Sequence, residues 1–335
     1  MPIQVRRTGT LIEPEKSRVL LRPFTPGDSS RFSRIIHRIM LIPEEAIGAL
    51  LEEISAEFNQ RHQVILNLFL ERFEQVRAVT TIDDEVSEQR RLLIGAYFLA
   101  EYSLEAAALF NPSIVPHPDQ TNLPPGAVRF ILSLRATGEG HISSITFRTG
   151  IVHADQRIEI TVPTEFVTEP RQIPNPLYEK ALFGRKLAEL GLTGDFTRRV
   201  MRKLDESFAL EDLRSALQTE QFSQSYGMTR EDQTVSQGIW MVARSNYEVQ
   251  FLAEQQLSER VLFPATPSQR NGIEDARFVR FQNDDGSYVY YATFTAFDGR
   301  VVMPELVETS DFGCAVRRRG DRRPLEQKRT GSCFP

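Results

Sequence analysis

Apolar positions along the chain follow two periods. Between 44 and 109 the period is that of a helix. Pro43-Glu44-Glu45 suits a first helical turn, with acid at the positive end of the dipole. Ile47, Leu50, Leu51, Ile54 and Phe58 then line one face, and Ile65, Leu66, Phe69, Phe73 and Val76 line another. Residues 88–109, rich in Ala and Leu, predict a third helix. Ahead of these, residues 1–24 read as extended, with Ile12, Val19, Leu20 and Leu21 apolar and turn residues at 22–28. The pattern thus predicts an N-terminal arm over 1–36 and a helical block over 37–109.

At Phe110 the texture changes to short strands. Residues 130–134, 143–148 and 158–162 are strand-like, separated by glycine-punctuated turns at 135–141 and 149–150. A proline-containing linker spans 163–176, and helical stretches at 177–190, 196–208 and 210–221 predict an insertion over about 177–222. Strands resume at 240–243 and 245–251. The clearest pattern follows: an apolar run at 260–264, a polar loop at 265–272, then a strand opening with Phe278, Val279 and Phe281. Asn283-Asp284-Asp285-Gly286 is a strong hairpin turn, residues 288–297 return as an aromatic strand, and Asp298-Gly299 turns again.

Composition removes several classes of function. A length of 335 residues allows one large or two ordinary domains, and a net charge of −5 argues against general nucleic-acid binding. No run reaches the length of a membrane span, and the basic start lacks the apolar core of a secretory signal. The two cysteines, Cys314 and Cys333, suggest neither a disulfide framework nor thiol catalysis, so a reducing cytoplasm is the expected compartment. His37 and His62 have no partners at metal-ligand spacing, and His141 beside Glu139 offers too few donors; no metal site is expected. Gly138-Glu139-Gly140 lacks the third glycine and the following helix of a dinucleotide fingerprint.

Candidate chemistry lies in Glu274-Asp275-Ala276-Arg277, two carboxylates and an arginine at the mouth of a strand. Taken alone, the motif reads either as a solvated turn with a surface ion pair or as a platform for an acid. The run Asn271-Gly272-Ile273-Glu274-Asp275-Ala276-Arg277-Phe278, followed by an aromatic strand, resembles the signature of glycoside hydrolase family 130. That family comprises β-mannoside phosphorylases and some β-mannosidases, on a five-bladed β-propeller. Its motif is usually Glu-Asp-Pro-Arg; Ala276 stands where proline would fix φ. Residues 18–24 resemble the opening of the family's longer members, and 245–251 and 301–312 also resemble it.

The resemblance implies a mainly β fold, with 110–312 a partial propeller interrupted by the helical insertion. It implies inverting phosphorolysis of a β-mannoside oligosaccharide to mannose 1-phosphate. No cofactor is needed, inorganic phosphate being the co-substrate. Asp275 matches the catalytic acid, whose proton travels through a sugar hydroxyl, and Glu274 binds sugar hydroxyls or acts on Asp275 by like charge. Arg277 orients the pair. Asn111 and Arg135 match first-blade substrate contacts, followed by Glu139, His141 and Ser144, while Asn246 falls in the second blade and Arg300 near a phosphate-binding arginine. A β-mannoside hydrolase and an inactive, truncated sugar-binding or interaction module are the alternatives, with the helical block as a homo-oligomer contact. Residues 313–335 turn basic and lose periodicity. They read either as a tail for an anionic partner or as the product of a slipped reading frame, since family members continue with further blades.

Overall fold

Two open antiparallel sheets carry the centre of the protein, flanked by two groups of helices. The computed structural model describes residues 7–80, 82, 85–174, 177–223 and 229–318. β1 (Val19–Pro23) leads into α1 (Ser29–Met40), α2 (Glu44–Phe58), α3 (Ile65–Arg77) and α4 (Glu88–Tyr97). β2 (Leu99–Ser103) then returns to pair with β1. β3 (Ala108–Pro116), β4 (Val128–Thr137), β5 (Ser143–Val152) and β6 (Ile158–Ile160) follow, then β7 (Arg171–Pro174) and β8 (Tyr178–Glu179). The second helical group is α5 (Lys180–Glu189), α6 (Asp195–Arg202), the short β9 (Ser207–Phe208), α7 (Leu210–Ser223) and α8 (Arg230–Arg244). β10 (Tyr247–Gln250), β11 (Val261–Leu262), β12 (Ile273–Gln282), β13 (Tyr288–Phe297), β14 (Val302–Thr309) and β15 (Cys314–Arg318) complete the described chain.

The first sheet has the order β11-β5-β4-β3, with β6 paired to β5; the second runs β12-β13-β14-β15-β10-β7. Their facing sides bury Ile131, Ile145, Phe147, Ile273, Tyr290, Phe294 and Phe312 in one core. With 35% helix against 29% strand, the chain is mixed rather than mainly β, and among the described residues no sheet is closed. None of the described helices is long and apolar enough to cross a membrane.

Several elements depart from the pattern, each for a physical reason. The helix expected over 88–109 stops at Tyr97, because residues 99–103 pair with β1 and residues 108–116 with β4. Helix-favouring Ala and Leu yield there to ladder hydrogen bonds. α1 begins inside the stretch read as an arm and runs across the boundary at 36; Phe32, Ile36 and Ile39 share its inner face, and Asp28 caps it by accepting from Ser30 N at 2.9 Å. Residues 240–243 belong to the end of α8, where Ile239, Val242 and Ala243 enter a helical core at i, i+3 and i+4. Gly150 is not a turn: β5 runs through it, and a Cβ would meet Glu159 O at 2.4 Å and Phe130 Cζ at 2.5 Å. Residues 314–318 of the expected basic tail form a strand between β14 and β10; 319–335, with Cys333, lie outside the described residues. Of the two histidines in the helical block, His62 is buried and its Nε2 lies 2.8 Å from Glu101 Oε1, a packing role.

A buried ionic triad joins the arm to the first sheet. Glu105 accepts from Arg18 at 2.5 Å, from Arg148 at 2.8 and 3.0 Å, and from Glu15 N at 2.9 Å. Arg18 also donates to Ser258 O, so one side chain ties β1, the β2–β3 turn and the approach to β11. Burial, and next the neighbouring Arg148 charge, push the Arg18 pKa down to about 10. Glu105→Gln leaves two buried guanidiniums without their counter-charge and should cost about 3–5 kcal/mol of stability, measured by urea unfolding. A loss no larger than that of a surface substitution would contradict this role.

Candidate functional site

β3 and β12, each at one edge of its sheet among the described residues, carry matching irregularities. In β3, Phe110 pairs with Arg135 and Ser113 with Ser133, so one strand advances three residues while its partner advances two. In β12, Glu274 pairs with Thr295 and Arg277 with Thr293, the same mismatch. Each strand therefore holds a one-residue bulge, and in each the residue after the last regular pair is left-handed: Asn111 at φ 54° and Asp275 at φ 55°. Asparagine and aspartate tolerate this region better than other non-glycine residues. The bulge in β12 also sets the packing. Ile273 and Phe278 are five apart and would face opposite ways in a regular strand, yet both pack into the core between the sheets.

The two bulges meet. Asn111 Nδ2 donates to Asp275 Oδ1, and Arg135 on β4 donates to the same oxygen at 3.4 Å and to Glu274 Oε1 at 2.5 Å. Arg135 is fixed from behind: its Nε donates to Ser143 Oγ at 3.0 Å, and its guanidinium lies 4.8 Å from the Phe110 ring centroid. Ser143 Oγ is in turn 3.2 Å from Thr137 Oγ1. Arg277 donates to Pro112 O at 2.8 Å, and Phe278 N donates to Ser113 Oγ at 2.9 Å. Gly272, at φ 130°, brings the entry to β12 beside Ser143, whose backbone N would be 3.0 Å from an added Cβ. The side chains of Arg135, Glu274 and Asp275 keep 20%, 28% and 40% of their exposure, so the cluster is open to a solute.

Asn111, Arg135, Glu274, Asp275 and Arg277 are thus brought together as expected residues of one site. The others lie elsewhere. Glu139 accepts from Ser103 N at 3.4 Å, beside Tyr102, whose hydroxyl is 3.1 Å from Glu139 O and from Ile142 O. Burial and the Glu139 charge push the Tyr102 pKa up to about 12. His141 is exposed in the β4–β5 connection at φ 60°. Ser144 is buried with no partner for its hydroxyl; it pairs with Ala136, and both alternate to the face away from Arg135 and Ser143. Asn246 precedes β10, four places from β12 in the sheet order. Arg300 is exposed in the β13–β14 turn, its backbone N donating to Asp298 Oδ1 at 2.8 Å. Sequence reasoning missed Phe110, Ser113, Thr137 and Ser143. Pairing of Thr137 with Ser143 across the hairpin is the signal that would have selected Ser143 over Ser144.

Chemically, the arrangement holds one carboxylate in a fixed orientation with an amide and a guanidinium on one oxygen. The other oxygen of Asp275 can accept a hydrogen bond from a hydroxylated molecule. Among the described residues no group of three or more His, Cys, Asp or Glu could hold a metal ion. The chain matches no family model, no curated protein and no solved structure.

The two adjacent serines give opposite expectations. Ser143→Ala removes an acceptor from Arg135 and should cost about 1 kcal/mol, whereas Ser144→Ala removes a partnerless hydroxyl and should be neutral or stabilising. Urea unfolding of both variants checks this, and the reverse ranking would overturn the assignment of faces.

Proposed function

We propose that this chain acts on β-mannosides in the manner of glycoside hydrolase family 130, by inverting phosphorolysis to mannose 1-phosphate. The observation that carries this reading is the convergence of Asn111 and Arg135 on Asp275, with Glu274 on the same arginine. Three separate stretches named by one resemblance meet at one carboxylate. In the proposed reaction a phosphate oxygen bonds to the anomeric carbon as the glycosidic C–O bond breaks. A proton from Asp275 reaches the leaving oxygen through a sugar hydroxyl. Phosphate arrives as an anion, so no second carboxylate is needed to activate it, in contrast to hydrolysis by water. Arg135 and Asn111 hold the acid, and Glu274 offers its remaining lone pairs to sugar hydroxyls.

Two further features support the propeller part of the reading. Each sheet has an edge strand, β3 or β12, that carries the same bulge, and these strands face each other, as the inner strands of successive blades would. The side of the second sheet away from the core carries exposed apolar side chains as well, Val279, Phe281 and Val302. An antiparallel sheet normally has one apolar face. A blade, packed between two neighbours, has two.

A second reading, hydrolysis or sugar binding without phosphate, is favoured by the position of Arg300. It sits outside the Asp275 cluster, while Arg135 and Arg277 are already engaged. Incubation with β-mannoside oligosaccharides decides between them. Phosphate-dependent release of mannose 1-phosphate, reduced about 10²–10⁴-fold by Asp275→Asn, is the expected result. Free mannose without phosphate would indicate a hydrolase, and binding without turnover would end the enzymatic reading.

A further inference from the structure

We propose that Ser113 is a positioning residue for Asp275, acting through the clasp that fastens the two bulges to each other. The proposal rests on the reading of Asp275 as the working acid. Ser113 closes the β3 bulge and Phe278 follows the β12 bulge, three residues beyond Asp275. Among the described residues β12 is the edge of its sheet, and the Phe278 N–H meets no neighbouring strand on that side. Ser113 Oγ supplies its acceptor at 2.9 Å. The serine is itself held, since Ser133 Oγ donates to Ser113 O at 3.4 Å. Arg277, the residue before Phe278 on β12, adds a second tie by donating to Pro112 O at 2.8 Å.

The clasp matters because both bulges contain a left-handed residue, a backbone state that relaxes unless the surroundings hold it. Loss of the Ser113 acceptor frees the edge of β12 immediately after Asp275. The carboxylate then drifts relative to Asn111 and Arg135, which sit on the other sheet. Misplacement of a reacting group by about 1 Å can lower turnover about 100-fold. Ser113 does this without touching the carboxylates: its side chain bonds the backbone of Phe278.

The test compares Ser113→Ala and Ser113→Thr with the unaltered full chain, by amide hydrogen exchange and by steady-state kinetics on a β-mannoside oligosaccharide. In Ser113→Ala the Phe278 amide should exchange about tenfold faster, with the thermal midpoint little changed, and Ser113→Thr, which keeps the hydroxyl, should restore protection. kcat should fall about 10–100-fold in Ser113→Ala with KM nearly constant, and recover in Ser113→Thr. Unchanged Phe278 exchange in Ser113→Ala, or equal loss of turnover in both variants, would overturn the proposal. An unaltered chain with no turnover would sink the reading of Asp275 as the acid, and the exchange of Phe278 would then decide the clasp by itself.

Discussion

The arrangement at the centre of this protein depends on one constraint: two bulged strands from different sheets must stay in register with each other. Neither bulge makes a site alone. β3 contributes Asn111, β4 contributes Arg135, and β12 contributes Glu274 and Asp275. The guanidinium of Arg135 spans the gap, with one arm on each carboxylate and its back on Ser143 and Phe110. A rigid planar fork suits this task better than an ammonium could, because several directed donors are fixed by one group.

The remainder of the fold reads as support for that register. Apolar side chains of both sheets interdigitate behind the bulges, from Ile145 and Phe147 on one side to Ile273 and Phe294 on the other. The arm is locked to the first sheet by the buried triad of Arg18, Glu105 and Arg148, which carries two positive charges against one negative. Such a group adds little net stability over an apolar replacement, but it tolerates few alternative packings. It fixes the β2–β3 turn, and hence where β3 begins, only a few residues before Asn111.

Much of this was legible in the residues, and what was not has identifiable causes. The hairpin around Asn283-Asp284-Asp285-Gly286 and the helices at 44–58 and 65–77 follow directly from turn chemistry and apolar spacing. The stretch after Tyr97 misleads because its composition favours helix while its partners, β1 and β4, lie far away in sequence. Trp240 to Ala243 misleads for the opposite reason: a short apolar run has no period of its own until Ile239 is seen to share its face. Asp275, Asn111 and Arg135 could be named from a resemblance. Their meeting could not, since it requires two bulges of equal offset and a long-range approach of β12 to β3. Ser144 and Ser143 differ by strand parity alone: a shift of one residue changes the face, and the structure puts Ser143 with Arg135 and Ser144 on the opposite side.

Coupling between Arg135 and Asp275 tests the account most directly, because it asks whether the two sheets meet at that carboxylate. Arg135→Met, Asp275→Asn and the double variant form a cycle measured by urea unfolding. A coupling of about 1–2 kcal/mol is expected, as for charged groups that touch. Effects that add to within about 0.3 kcal/mol would mean that the two side chains do not meet, and would contradict it.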